Sequence, residues 1–131
     1  MEHKELQNIY LNSLKAEGYA GEAAEDGDIS FKFEEEQYWI TPDEDDLEFF
    51  DLYFLGSWDF KDEADKIKGL RTLNTVNQTI KLVKVQMNDD GIICFSAGFF
   101  VNEPKEFVNY LSRSLSMIQS AVSSFVEEME K

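Results

Sequence analysis

The sequence predicts an α+β fold of two layers, an antiparallel sheet carrying helices on one face, with element order α-β-β-β-α-β-β-α. Three observations predict it. From Phe107 to Met129 large apolar residues recur at spacings of three and four, the period of one helix face. Between two β-rich runs stands Asn88-Asp89-Asp90-Gly91, where glycine's tolerance of positive φ suits a tight hairpin. Every junction between consecutive strands is short, and a parallel pair would need a crossover of a dozen or more residues.

Taken in order, residues 4–17 place Leu6, Ile9, Tyr10 and Leu14 on one helical face before Gly18, a suitable C-cap. The polar stretch Glu22–Asp28 follows, and its Asp26-Gly27-Asp28 has the chemistry of a turn. Ile29, Phe31 and Phe33 alternate with Ser30 and Lys32, the period of a strand with one face buried. Glu34–Glu36 then turns the chain into Tyr38-Trp39-Ile40, completing a hairpin. After Pro42 and the acidic run Asp43–Asp46, Leu47–Leu55 is apolar on both parities, interrupted by Glu48 and Asp51, as a central strand covered at least partly on both faces would be, and Gly56 ends it.

Asp59 or Asp62 caps a second helix running to about Asn77, with Ala64, Ile67, Leu70, Leu73 and Val76 expected inward. Gly69 inside it costs on the order of 1 kcal/mol relative to alanine, which points to close packing. Thr79–Met87 and Ile92–Val101 are the last two strands, and Asn102 with Pro104 opens the final helix. That helix carries Phe107, Leu111, Leu115, Ile118, Val122, Phe125 and Met129 as one stripe. It is long enough, at roughly 40 Å, to cross a small sheet. No linker or repeat divides the chain, so residues 1–131 form a single domain.

Composition limits what the domain does. A chain of 131 residues buries roughly two-thirds of its unfolded surface, and 43% hydrophobic residues with eleven Phe supply a core that a disordered acidic chain lacks. Against 27 Asp and Glu stand 12 Lys and Arg, for a net charge of -15. Nucleic acid is therefore not an expected partner, because phosphate is bound through clustered cations. Anionic membrane surfaces are disfavoured on the same ground, and no run of eighteen apolar residues is present. With no apolar signal region behind Met1-Glu2-His3-Lys4-Glu5, a cytoplasmic location is expected. The charge favours solubility and rapid capture of basic partners.

Recognisable catalytic chemistry is absent. His3 is the only histidine and lies beside a terminus, which leaves no histidine triad or histidine-rich zinc site. Glycines at 18, 21, 27, 56, 69, 91 and 98 match neither a dinucleotide-binding nor a phosphate-binding loop. Asp43, Asp45 and Asp46, or Asp26 and Asp28, lack the glycine and distal glutamate of a calcium loop and read as solvated turns. Cys94, within Ile92-Ile93-Cys94-Phe95, reads as a buried, small hydrophobe. Asp51, alone in an apolar strand, is the one acid whose surroundings could perturb it, and it reads as partner-satisfied or edge-exposed before it reads as catalytic. No catalytic residue, cofactor or metal ligand is assigned.

The aromatic residues are more informative. Helices cover only one face of such a sheet, yet both parities of the third strand carry large apolar groups, and contiguous exposed apolar surface marks interaction sites. Trp39, Phe50, Phe54 and Trp58 are the partner-binding candidates.

Three segments resemble the YbjN-like family, sometimes labelled bacterial sensory transduction regulators: Glu25–Phe31 entering the first strand, Leu73-Asn74-Thr75-Val76-Asn77 ending the second helix, and Asn88–Gly91 between the last strands. That family is similar in fold to class I type III secretion chaperones. The resemblance implies an α-β3-α-β2-α fold, homodimerisation and a regulatory or protein-binding role without catalysis. Asn74 and Asn77 are expected to satisfy helix-end carbonyls. The chain is thus expected to be a non-enzymatic homodimer engaging a protein client through sheet and first-helix surface. Two alternatives are a secretion-type chaperone dedicated to one effector and a small carboxylate-dependent enzyme or ligand binder.

Overall fold

The computed structural model describes residues 1–131. Along the chain run α1 (His3–Ala16), β1 (Glu22–Ala23), β2 (Ile29–Phe33), β3 (Glu36–Ile40), β4 (Phe49–Ser57), α2 (Glu63–Thr79), β5 (Val83–Met87), β6 (Ile92–Phe100), a 3-10 turn (Pro104–Phe107) and α3 (Val108–Met129). All six strands join one antiparallel sheet in the order β1-β2-β3-β4-β6-β5. This is the α+β arrangement expected, with β1 added as a two-residue strand in the polar stretch before β2.

Two turns set the register. Between β2 and β3, Glu34 and Glu35 both adopt positive φ, 50° and 69°, the backbone of a two-residue hairpin closed by the Phe33–Glu36 pair. Between β5 and β6, Gly91 takes φ 82°, and Asn88 Oδ1 accepts hydrogen bonds from the amides of Asp90 and Ile92. The Asp26-Gly27-Asp28 turn is held from α1: Gln7 Nε2 donates to the Gly27 carbonyl at 2.7 Å, and His3 Nε2 lies 3.2 Å from the same oxygen. His3 therefore anchors the start of α1 to the sheet.

The core lies between one face of the sheet and the helices. Leu6, Tyr10 and Leu14 of α1 are buried in it, and Tyr10 meets Phe50, which stacks on Phe107 at 4.7 Å between centroids. Along α3, Leu111, Leu115, Ile118, Ala121, Phe125 and Met129 are buried, so the stripe read from sequence is the packed face, with Val122 at its half-buried margin.

Helix α2 departs from expectation. Its buried residues are Gly69, Thr72 and Val76, whereas Ile67 and Leu70, expected inward, are each 48% exposed and Ala64 is exposed too. The helix packs against α3 and β5 at the end of the sheet, so the packed side is rotated from the side with the larger apolar residues. Gly69 is where the contact is tightest: a Cβ there would come 2.6 Å from Phe60 Cε1. Two strand limits also move. Helix α2 continues through Thr79 and β5 begins only at Val83, after Leu82 at φ 70°, while β4 passes through Gly56 to Ser57.

Candidate functional site

Residues paired across an antiparallel ladder share a face, so the register sorts every strand residue. Inward go Phe50, Leu52 and Phe54 of β4 with Phe99, Ala97 and Phe95 of β6. Outward, on the side that carries no helix, go Phe49, Asp51, Tyr53 and Leu55 with their partners Phe100, Gly98, Ser96 and Cys94. Trp39 pairs with Tyr53 from β3, and Lys84 pairs with Ser96 from β5.

This outer face is the candidate site. Trp39 and Tyr53 stack nearly parallel, 6.3 Å between centroids and 12° between planes, and Phe49 meets Phe100 edge-on at 5.7 Å. Phe100 is 78% exposed, Leu55 47% and Ile92 40%, which makes an apolar surface that its own chain leaves open. A shallow concavity of about 630 Å³ runs across the middle of the face, lined by Phe49, Asp51, Tyr53, Lys84, Cys94 and Gly98 among others. A second, of about 750 Å³, lies beside α1 against the acidic 45–48 loop and the segment leading to the 3-10 turn.

Asp51, Cys94 and Tyr53 on the outer face are each biased toward their protonated forms. Burial pushes the Asp51 carboxyl above the usual carboxylate range; Lys84 pulls it back and Asp28 adds to the rise. Burial and then the Asp51 charge push the Cys94 thiol up. The Tyr53 hydroxyl is raised by burial and by donating to Asp28 Oδ2 at 2.6 Å, which ties β4 to the entrance of β2. Asp51 thus stands between two rings, with no second carboxylate held against it in a hydrogen bond. The arrangement is suited to contact with an apolar or cationic group laid on the sheet.

The four partner-binding candidates fall in different places. Trp39 lies on the outer face, half-buried. Phe50 does not: at 0% exposure, between Tyr10, Phe99 and Phe107, it is interior and offers no surface, because the ladder assigns its parity to the helix side. Phe54 is half-buried on that same side, against Tyr38 and Phe95. Trp58, beyond β4, is half-buried with its ring edge-on to Phe125. Cys94, expected buried, instead faces outward and is partly exposed. Tyr53, Phe49, Leu55 and Phe100 complete the face, and strict alternation about Asp51 is the signal that could have found the first three.

The acidic loops spend carboxylates on turning the chain: Asp26 accepts from the Asp28 amide, Asp43 from that of Asp45 and Asp46 from that of Glu48. No three His, Cys, Asp or Glu side chains converge as a metal site would require. No helix is long and apolar enough to cross a membrane. Asn77 does not cap its own helix. Its amide donates to the Val85 carbonyl at 3.0 Å and accepts from the Val85 amide at 2.8 Å, pairing with edge strand β5 as a neighbouring strand would.

No protein-family model matches the chain, and no curated protein matches it in sequence. Solved structures do share its fold. An uncharacterized protein from Methanothermobacter thermautotrophicus superposes with a TM-score of 0.63 at 8% identity, covering 95% of this chain and 99% of that one. The Yersinia pestis type III secretion chaperone SycH, solved in complex with a stable fragment of YscM2, superposes with a TM-score of 0.56 at 9% identity, covering 90% of this chain and 98% of that one. The fold is therefore similar to that of the secretion chaperone SycH. The YbjN-like resemblance continues to rest on the three sequence segments.

Proposed function

We propose that the chain is a non-enzymatic protein-binding domain of the YbjN-like kind that pairs with a second copy through α2 and engages a protein client on the open sheet face and the adjoining α1 surface. The observation that carries this reading is the uncovered aromatic face centred on Trp39, Tyr53 and Phe49, with Leu55, Ile92 and Phe100 exposed along it. Apolar surface of this extent supports recognition of a macromolecule.

Self-pairing is supported by α2. Its exposed Ile67 and Leu70 lie one turn apart, and the helix holds three cations (Lys66, Lys68, Arg71) against two acids (Glu63, Asp65) in a chain of net charge -15. Two copies meeting there avoid the repulsion that the acidic loops would impose.

Light scattering at micromolar concentration should return twice the 15.2 kDa chain mass, and the Ile67→Glu, Leu70→Glu double variant the single mass. A photo-crosslinking residue at Leu55 or Ile92 should capture one discrete protein in cells, and one at exposed Glu127 should not. A monomer would refute the pairing, and equal labelling from both positions would refute the face. A second reading, a chaperone dedicated to one exported effector, is favoured by the shared fold with SycH, itself solved with a bound protein fragment. In that case the captured protein is an effector and lies along the same face.

A further inference from the structure

We propose that Asp51 reads one basic side chain, arginine or lysine, of an extended client segment laid across the open sheet face. This rests on the reading of that face as the client surface.

Four observations meet at Asp51. It sits on the central strand β4 with Phe49 and Tyr53 two residues to either side on the same face, so its carboxylate stands between two rings. Such rings attract a cation through their negative faces while the carboxylate supplies the charge-assisted hydrogen bond. Across the ladder its partner is Gly98, where a Cβ would approach Phe49 Cζ to 2.7 Å and Asp51 Oδ1 to 3.6 Å. Glycine at that point gives the Phe49 ring room to lie beside the carboxylate.

Asp51 is also uncommitted within the chain. It takes no part in the three ion pairs, which join Lys66 to Glu63, Lys105 to Glu103 and Lys131 to Glu128 at the surface. The facing cation Lys84 belongs to the neighbouring row, opposite Ser96 and Tyr53 rather than opposite Asp51. The other groups acting on it are Asp28 and Cys94. A half-buried carboxylate without a paired cation opposes folding, and a cation delivered by a partner removes that penalty. At long range the -15 charge of the chain draws the same kind of segment, so steering and local contact select for one sign. An acidic segment would be repelled at both distances.

The test uses short fluorescein-labelled peptides alternating Val and Thr around a central Arg, Lys, citrulline or Glu, titrated into the intact protein and followed by anisotropy. The Arg and Lys peptides should bind about tenfold or more tightly than the citrulline peptide. Asp51→Asn should abolish that preference, while Glu127→Gln, which changes net charge equally at an exposed position on α3, should preserve it. The comparison of Arg with citrulline is made on the unaltered protein and so survives any folding defect of the variant. Equal binding of Arg and citrulline peptides, or a preference that persists in Asp51→Asn, overturns the inference and leaves the client face standing. Failure of every peptide to bind overturns both.

Discussion

Replacing Asn77 with alanine isolates a contact that no periodicity reveals. The side-chain amide makes two hydrogen bonds, 3.0 and 2.8 Å, to the carbonyl and amide of Val85, a residue 1% exposed on edge strand β5. Each contributes on the order of 1 kcal/mol net. Because Asn77 itself is exposed, water enters the gap and the much larger penalty of sealed, unpaired groups does not apply. Alanine returns about 0.5 kcal/mol of helix propensity, which leaves a destabilisation of about 1.5 kcal/mol. Asn74, one turn earlier and also exposed, makes no such bond, so Asn74→Ala is expected within about 0.5 kcal/mol of the parent. Urea unfolding of the three proteins, with the slope unchanged, measures both differences, and amide exchange at Val85 should accelerate in Asn77→Ala alone. Equal effects of the two substitutions, or a neutral Asn77→Ala, would refute the assignment of Asn77 as the cover of the β5 edge.

Glu35→Gly relieves a left-handed residue at φ 69° in the β2–β3 hairpin, and a thermal melt should show stabilisation of about 1 kcal/mol. Asp51→Asn tests the raised carboxyl: a folded value above 3.8 means the native state binds more protons than the unfolded one, so stability falls as pH rises through that window. The asparagine variant should accordingly match the parent below 3.8 and gain on it toward neutral pH; a constant difference would contradict the shift. Cys94, partly exposed but with its thiol raised by burial and by Asp51, should react with a disulfide reagent at neutral pH more slowly than a free thiol of ordinary pKa, and faster in Asp51→Asn.

Most of the fold could be read from residue patterns, and the site only in part, for a physical reason visible in particular residues. The stripe of α3 and the Asn88–Gly91 turn are local signals, set by helix period and by glycine's positive φ, and both stand in the structure. Ile67 and Leu70 follow the same period, but periodicity cannot say whether an apolar side is closed by its own chain; Gly69, Thr72 and Val76 take the packed side of α2 instead. Phe50 and Cys94 each stand in a run where both parities are apolar, so the pattern alone does not assign them a face. Only ladder register, a long-range property, assigns Phe50 inward and Cys94 outward. The Tyr53–Asp28 and Asn77–Val85 bonds join residues through tertiary geometry, and β1 is too short to carry a pattern.

A protein partner is expected to cover the open sheet face. Hydroxyl-radical footprinting, comparing the free protein with the complex purified from cells through this chain, tests it most directly because Trp39, Tyr53 and Phe100 all react with the radical and all lie on that face. Their modification should fall in the complex while that of Trp58, packed against Phe125 on the helix side, stays unchanged. Protection of Trp58 with Trp39, Tyr53 and Phe100 still fully reactive would contradict it.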